Sequence, residues 1–412
     1  MREVIANQRA ERDGLLGRCY QERRTGYSKE QLLASPLIKF ISGPRRVGKS
    51  TYALLLLRGQ NFAYLNFDDK QLLDRWDEDV VTRMLDDIYP NYTHLLLDEV
   101  QNLPGWDLWV SKLYRRGKNL VVTGSNANML SSEMATVLTG RYLPVNMLPF
   151  SLLEVAEWHG VDVQNASPAD QSAALLADYL RNGGYPETIA AREIAPNYLA
   201  TLFDSILLKD IAKRHNVRKT VELYNIASYL LSNFCNPLSF NGIAAAVNVP
   251  SVSTVQRFCG YLTEPFIFFF LPRFSNKLKV MKKADQKVYI IDNGFVGAAA
   301  FGLGKNLGRL LENQVFVELV RQGYKPGQTL FYYHSRTGKE VDFVTCQGGR
   351  VERLIQVCYD LSAEKTRRRE FDAIVECANE LGCSNLTVVS YDADGHEKHD
   401  NHTIQIVPVA RF

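Results

Sequence analysis

The sequence predicts an α/β fold whose N-terminal part is built on a parallel sheet, and three stretches predict it. Apolar residues 37–41 run into the loop Gly43-Pro44-Arg45-Arg46-Val47-Gly48-Lys49-Ser50-Thr51, and residues 52–57 continue as an apolar helix. Leu95-Leu96-Leu97 closes on Asp98-Glu99, and Leu120-Val121-Val122 closes on Thr123-Gly124-Ser125-Asn126. Continuous apolar runs without alternation read as strands buried on both faces, as in parallel sheets, whose ligands bind at the C-terminal strand edge. Each run delivers its polar residues to that edge.

The first loop fits G-x-x-x-x-G-K-[ST] at every fixed position, between a strand and a helix where such a loop must sit. Gly43 and Gly48 let backbone N–H groups close around phosphate oxygens, which a Cβ would obstruct. Lys49 is expected against the β- and γ-phosphates and the Ser50 hydroxyl on Mg²⁺, with the helix N-terminus adding partial positive charge. Residues 43–51 are therefore the expected nucleotide cradle. Residues 62–67 read as the next strand. About 50 residues after the loop, Asp98 and Glu99 have the Walker B pattern: Asp98 to hold Mg²⁺ through water, Glu99 to polarise the attacking water as general base. The strand ending at Ser125 or Asn126, with Thr123 as third choice, would present a polar sensor to the γ-phosphate; its plainer reading is a strand-to-loop exit.

Composition bounds the rest. With 412 residues, two to four domains are expected; apolar residues at 46% and charged residues at 23% describe a globular chain. A formal charge of +3 leaves any nucleic-acid surface to a local patch. Seven dispersed cysteines, with no C-x-x-C pair, suggest reduced thiols in a cytoplasmic protein. The N-terminus has no signal-peptide core, and the run from Phe266 to Leu271 is too short to span a bilayer. Arg23-Arg24, ahead of the first strand, is expected to face water rather than phosphate.

GPRRVGKS, YLNFDD, LLLDEVQ, VVTGSN, LTGRY, LPFSLLE and NGGYPE, in that order, resemble the AAA-type ATPases of archaea and bacteria that carry a C-terminal domain of formerly uncharacterised function. The resemblance spans nearly the whole chain and extends to signalling and regulatory P-loop ATPases. It implies a P-loop NTPase of the AAA+/ASCE type with a helical lid in which Pro186, after Gly183-Gly184-Tyr185, lies close to the adenine. It also makes Arg141, after a helix expected over 129–138, the candidate finger toward a neighbouring subunit's nucleotide in a homo-oligomer, against a structural salt bridge. ATP rather than GTP rests on this resemblance and on the lack of an N-K-x-D motif.

The expected boundaries are 1–160 for the ATPase domain, 161–215 for the lid, 216–286 for a winged helix-turn-helix and 287–412 for an α/β restriction-endonuclease-like domain. Residues 238–247 and 251–262 read as helix, turn, helix, the second opening on Ser251, and residues 266–274 as a wing strand. Ser253, Thr254, Gln256 and Arg257 would be exposed on the second helix; Arg257, with Arg273, Lys277, Lys279, Lys282 and Lys283, would meet duplex DNA if the module reads DNA rather than serving as an interdomain joint. The last part resembles a PD-(D/E)xK nuclease core, with Glu312 on a helix and Asp342 on a hairpin strand. However, its E-x-K position reads Gln356-Val357-Cys358, which lacks both the hard-cation ligand and the lysine. Glu352 stands too far along the strand to substitute, and a migrated Lys365 is the remaining rescue. Nuclease activity is not expected. His396, His399 and His402 fall in an expected hairpin loop, where solvent rather than metal is the reading.

The function that follows is Mg²⁺-dependent ATP hydrolysis coupled to movement of the later domains. The alternatives are a slow nucleotide-gated switch that binds DNA or a protein partner, and a small-molecule phosphotransferase.

Overall fold

The computed structural model describes residues 1–127, 138–163, 171–299 and 306–412, and within these the side chains of all but Leu278 and Lys282. Apart from Leu138, the helix expected over 129–138 lies outside the described residues, as does the Lys282 side chain. The described chain forms two compact units, Met1–Leu148 with Glu264–Phe266, and Pro149–Thr263 with Ile267–Phe412.

The first unit is organised on five parallel strands in the order β2-β3-β4-β1-β5: β1 Ile38–Ser42, β2 Phe62–Asn66, β3 His94–Asp98, β4 Asn119–Gly124 and β5 Tyr142–Asn146. β1 and β3 are buried at all five positions, as strands covered on both faces must be. β5, the edge strand, is more exposed and carries Pro144, which an edge tolerates. Phe40, Leu65, Leu95, Leu97 and Val122 from the sheet meet Trp106, Trp109 and Val110 from the helix Trp106–Arg115, and Val81 and Leu85 from the helix Glu78–Ile88, in one apolar core. The latter helix starts where Asp77 accepts from the Val80 amide, with Glu78 and Asp79 in its first turn complementing the helix dipole. The N-terminal helix Arg2–Leu16 buries Val4 and Ile5 in the same core.

In the second unit the helix Leu152–His159 opens with a capping box, Ser151 and Glu154 bonding reciprocally. It lies outside the first unit, although the 1–160 boundary groups it with the ATPase sheet. Gly183 and Gly184 follow the helix Gln171–Asn182, and the reason for glycine is visible. A Cβ on Gly184 would stand 2.1 Å from the Phe150 carbonyl oxygen, and one on Gly183 would stand 1.7 Å from Asp292 Oδ1. The Gly184 amide donates to Asp292 Oδ2 at 2.7 Å. The turn thus admits a carboxylate and a carbonyl at backbone distance.

Helices Phe240–Ala246 and Val252–Thr263 start on Ser239 and Ser251, whose hydroxyls accept from the Gly242 and Thr254 amides. Beside them in sequence lies an antiparallel sheet of order β6-β8-β7, with β6 Pro237–Leu238, β7 Phe268–Pro272 and β8 Gln286–Ile290. A domain boundary drawn after residue 286 therefore falls inside β8. Six further strands, β9 Leu330–His334, β10 Glu340–Gln347, β11 Arg350–Val357, β12 Leu386–Ser390, β13 Gly395–His399 and β14 His402–Pro408, form a mixed sheet of order β13-β14-β12-β11-β10-β9. Helices Leu307–Arg321 and Glu364–Leu381 contribute to this part. No helix among the described residues is long and apolar enough to cross a membrane. All seven cysteines are free, and only Cys19 is exposed.

Candidate nucleotide site

The parallel sheet brings Lys49, Ser50, Asp98, Glu99, Thr123 and Ser125 to the C-terminal ends of three neighbouring strands. Gly43 follows β1 so closely against the chain after β5 that a Cβ there would stand 2.0 Å from the Met147 carbonyl oxygen. Gly48 has φ +87° and caps the helix Lys49–Leu57, a conformation that glycine adopts without a Cβ penalty. Pro44 and Val47 are buried in the loop, while Arg45, Arg46 and Thr51 lie at its margin. Lys49 is only 4% exposed; its Nζ donates to the Pro44 carbonyl at 3.0 Å and stands 3.5 Å from Glu99 Oε1.

Behind the loop, Ser50 Oγ donates to Asp98 Oδ1 at 2.8 Å, Thr123 Oγ1 donates to the same oxygen at 2.5 Å, and the Tyr64 hydroxyl approaches Oδ2 at 3.4 Å. Burial pushes the Asp98 carboxyl up to about 6, against the hydrogen bond from Thr123. A hydroxyl beside a carboxylate is the oxygen donor set that Mg²⁺ takes, so Ser50 and Asp98 fit the ion.

Glu99 has φ +51°, a left-handed conformation that costs a non-glycine residue about 1–3 kcal/mol. Its amide donates to Thr123 Oγ1 at 2.9 Å, so one threonine hydroxyl orients both acids. Glu99 Oε2 accepts from Ser125 Oγ at 3.1 Å and from Gln101 Nε2 at 2.5 Å. Burial raises the Glu99 carboxyl, but Lys49, the bonds from Gln101 and Ser125, and the Arg45 charge more than offset it, and the net shift is downward. Glu99 is thus held ionised beside the lysine.

Three residues are added or moved by the structure. Gln101, in the 3₁₀ turn Val100–Asn102, also donates to Ser125 at 3.1 Å; its position three residues after a strand carries no sequence signal. Thr123, rather than only Ser125 or Asn126, is the residue bonded to Asp98. Arg23 does not face water: its guanidinium donates to the Val47 carbonyl at 2.5 Å and the Leu148 carbonyl at 2.7 Å, pinning the phosphate loop from the N-terminal segment. Arg141 precedes β5 and its carbonyl accepts from Ile38, the first residue of β1, with its guanidinium 3.4 Å from Ser111 Oγ. At about 3.3 Å per strand residue, β1 separates Arg141 from the loop by well over the reach of an arginine side chain. Within one chain Arg141 cannot reach the cradle. Pro186 opens the helix Pro186–Ala190 of the second unit.

The other expected residues lie in the second unit. On the helix Val252–Thr263, Ser253, Gln256 and Arg257 are exposed and Thr254 is half-buried; Lys277, Lys279 and Lys283 are exposed on and before the short helix Leu278–Lys283. Glu312 and Asp342 come together, and Gln356 Oε1 accepts from the Asp342 amide at 3.3 Å. The cation beside them is neither a metal ligand partner nor Lys365, which is exposed, but Lys287 from β8. The histidines are not in a loop: His396 and His399 belong to β13 and His402 opens β14. His399 pairs with Asp372 at 2.7 Å and His402 with Asn379 at 2.9 Å, while His396 is exposed. Among the described residues no group of three acidic, histidine or cysteine side chains is arranged to hold a metal ion.

Residues 35–156 match the family described as AAA domain, and residues 173–307 and 307–412 match two domains of unknown function, DUF8612 and DUF4143. The chain is 32% identical over 393 residues to the uncharacterized protein MJ1544 of Methanocaldococcus jannaschii, covering 90% of this chain and 87% of that one. It is 30% identical over 350 residues to an uncharacterized protein of Haemophilus influenzae, covering 80% of this chain and 84% of the other. Among solved structures it resembles the Walker-type ATPase PabY2304 of Pyrococcus abyssi, with a TM-score of 0.43 and 13% identity over 71% of this chain and 95% of that one. With its phosphate loop and paired acids inside the AAA match, the chain carries an AAA-type P-loop ATPase domain and belongs to the family of the M. jannaschii protein.

Proposed function

We propose that the protein hydrolyses ATP and couples its nucleotide state to movement of the later domains. One observation carries this reading: Glu99 stands beside the phosphate-loop Lys49 with Ser50 and Asp98 paired behind it. Gly43 to Thr51 would wrap the phosphates, and Lys49 would meet charge on the β- and γ-phosphates. Ser50 and Asp98 would hold Mg²⁺, which supplies neutralisation of phosphate charge when bound. Glu99 would orient the attacking water and accept its proton, with Ser125 and Asn126 near the γ-phosphate. Arg141 would complete the site of a neighbouring copy, which its placement on the far edge of β1 favours over a role in its own chain. Pro186 would lie toward the adenine.

Phe240–Ala246 and Val252–Thr263 with the β6-β8-β7 sheet are proposed as a winged helix-turn-helix, and residues 287–412 as a nuclease-like fold without nuclease activity. The exposed Arg257, Lys277, Lys279 and Lys283, with Lys282, are the proposed phosphate contacts to duplex DNA. A second reading, a slow nucleotide-gated switch, draws on the ties of Glu99 to Lys49, Gln101 and Ser125, which must be exchanged before the acid addresses water.

The test is phosphate release by the wild type and Glu99→Gln, with and without duplex DNA, alongside light scattering for mass. Turnover that needs Glu99 and rises with DNA and assembly supports the coupled ATPase. ATP binding with negligible turnover, indifferent to DNA, selects the switch.

A further inference from the structure

The second lysine–carboxylate cluster has a chemistry of its own. Lys287 Nζ lies 2.9 Å from Glu312 Oε1, 2.6 Å from Glu340 Oε1 and 2.8 Å from Asp342 Oδ1. Those acids come from the helix Leu307–Arg321 and from alternate positions of β10, while the lysine comes from β8. The lysine side chain is 2% exposed and those of Glu312 and Asp342 are 13% and 8% exposed. Further groups hold the carboxylates in place: the Tyr289 hydroxyl donates to Glu312 Oε1, the oxygen that also meets Lys287, at 2.7 Å, the Val357 amide donates to Asp342 Oδ2 at 2.9 Å, and His334 Nε2 stands 2.7 Å from Glu340 Oε2.

The Glu340 side chain is 29% exposed, so two largely buried carboxylates and a third at the margin converge on one buried point, an arrangement that needs a cation at its centre because uncompensated buried anions are strongly unfavourable. We propose that the Lys287 ammonium is an internal substitute for a divalent cation: as they stand, no three acids among the described residues could hold a metal ion, and the Glu312–Glu340–Asp342 cluster is a cation site filled by the chain itself. The three N–O distances are only a few tenths of an ångström longer than the 2.3–2.6 Å oxygen distances of Ca²⁺. An ammonium carries one charge, cannot act as a Lewis acid and binds no water to activate, so the filled cluster is a staple joining β8, β10 and the intervening helix rather than a hydrolytic centre. Burial works against charge on Lys287, yet Asp342, Glu312 and Glu340 outweigh it and hold the ammonium well above its usual range. The lysine therefore stays charged throughout the physiological range, while burial and the neighbouring Asp342 push the Glu312 carboxyl upward. The inference goes beyond the ATPase reading and stands on the cluster's geometry alone.

The experiment is thermal unfolding of the nucleotide-free full chain in excess CaCl₂ or EDTA, for wild type, Lys287→Met and Lys287→Met/Asp342→Asn. Wild type is expected to respond equally little to Ca²⁺ and EDTA at this cluster. Lys287→Met should unfold on the order of 10 °C lower in EDTA and recover most of that loss in Ca²⁺. The double variant should not recover with Ca²⁺. If Lys287→Met is obtained only unfolded, refolding is the readout: recovery in Ca²⁺ but not EDTA supports the proposal, and failure in both overturns it. A folded Lys287→Met indifferent to Ca²⁺ overturns it too. So does Mg²⁺-dependent DNA cleavage by the wild type that Lys287→Met abolishes, which would make the lysine a catalytic residue.

Discussion

Two places in this molecule set a buried lysine against carboxylates, and they are built in opposite ways. At Lys49 one acid, Glu99, stands at 3.5 Å and a loop carbonyl takes another of the ammonium's hydrogens; the second acid, Asp98, is bonded by hydroxyls instead. At Lys287 three acids stand within 2.9 Å and the ammonium is saturated. The first lysine has weak partners that a polyphosphate can outbid; the second has partners that leave no vacancy. The same residue types therefore give a ligand site in one region and a staple in the other. What decides is how many carboxylates share the cation and whether glycines keep one side open.

Substitutions should separate the two most sharply in nucleotide binding and turnover. Lys49→Ala is expected to abolish nucleotide binding, and Glu99→Gln to bind ATP but turn it over about 10²–10⁴-fold more slowly, the range for removing a general base. A filter-binding measurement with phosphate release reads both, and normal turnover by Glu99→Gln would remove it from the mechanism. The stability contrast comes next. Asp342→Ala should cost about 3–5 kcal/mol, as for breaking a buried ion pair. Glu99→Ala should cost far less, because its contact to Lys49 is long and the alanine Cβ leaves the left-handed backbone as strained as before. Equal losses in denaturant titrations of the two would dissolve the comparison.

Gln101→Ala tests whether Glu99 is positioned rather than merely present. Turnover should fall by a smaller factor than in Glu99→Gln with the KM for ATP little changed, and Gln101→Glu should not rescue it because a carboxylate would repel Glu99. The smallest effect is in pH. The folded Asp98 holds its proton up to about 6 against 3.8 for the free side chain. Its proton uptake favours the folded state at low pH, and that contribution is lost as pH rises from about 4 through 6. Mg²⁺-dependent nucleotide affinity should move the other way, weakening below about pH 6. A flat affinity profile across that window would place Asp98 outside the ion's ligand set.

The staple also bears on how the later part of the chain divides. Lys287, from the strand that completes the β6-β8-β7 sheet, bonds acids of the six-stranded part, so the two cannot separate without exposing an unpaired ammonium. Partition at residue 286 or 287 cuts β8, and nothing in the sequence marks this, because residues 287–291 read as the opening strand of anything that follows them.

By itself, the sequence determined the parallel-sheet half and its phosphate loop. Unalternating apolar runs, glycines at fixed spacing and acids at strand ends are local signals, each set by the backbone geometry of a few adjacent residues. It also placed Glu312 and Asp342 together and denied them the usual E-x-K lysine. The tertiary structure alone decided which cation answers those acids, that Arg23 clamps the phosphate loop across 24 and 125 residues, and that Gln101 steadies Glu99. It also decided that Gly183 and Gly184 exist to admit Asp292 and the Phe150 carbonyl. Periodicity reports which face of an element is buried, but the partner of a buried charge is chosen by the packing of distant elements.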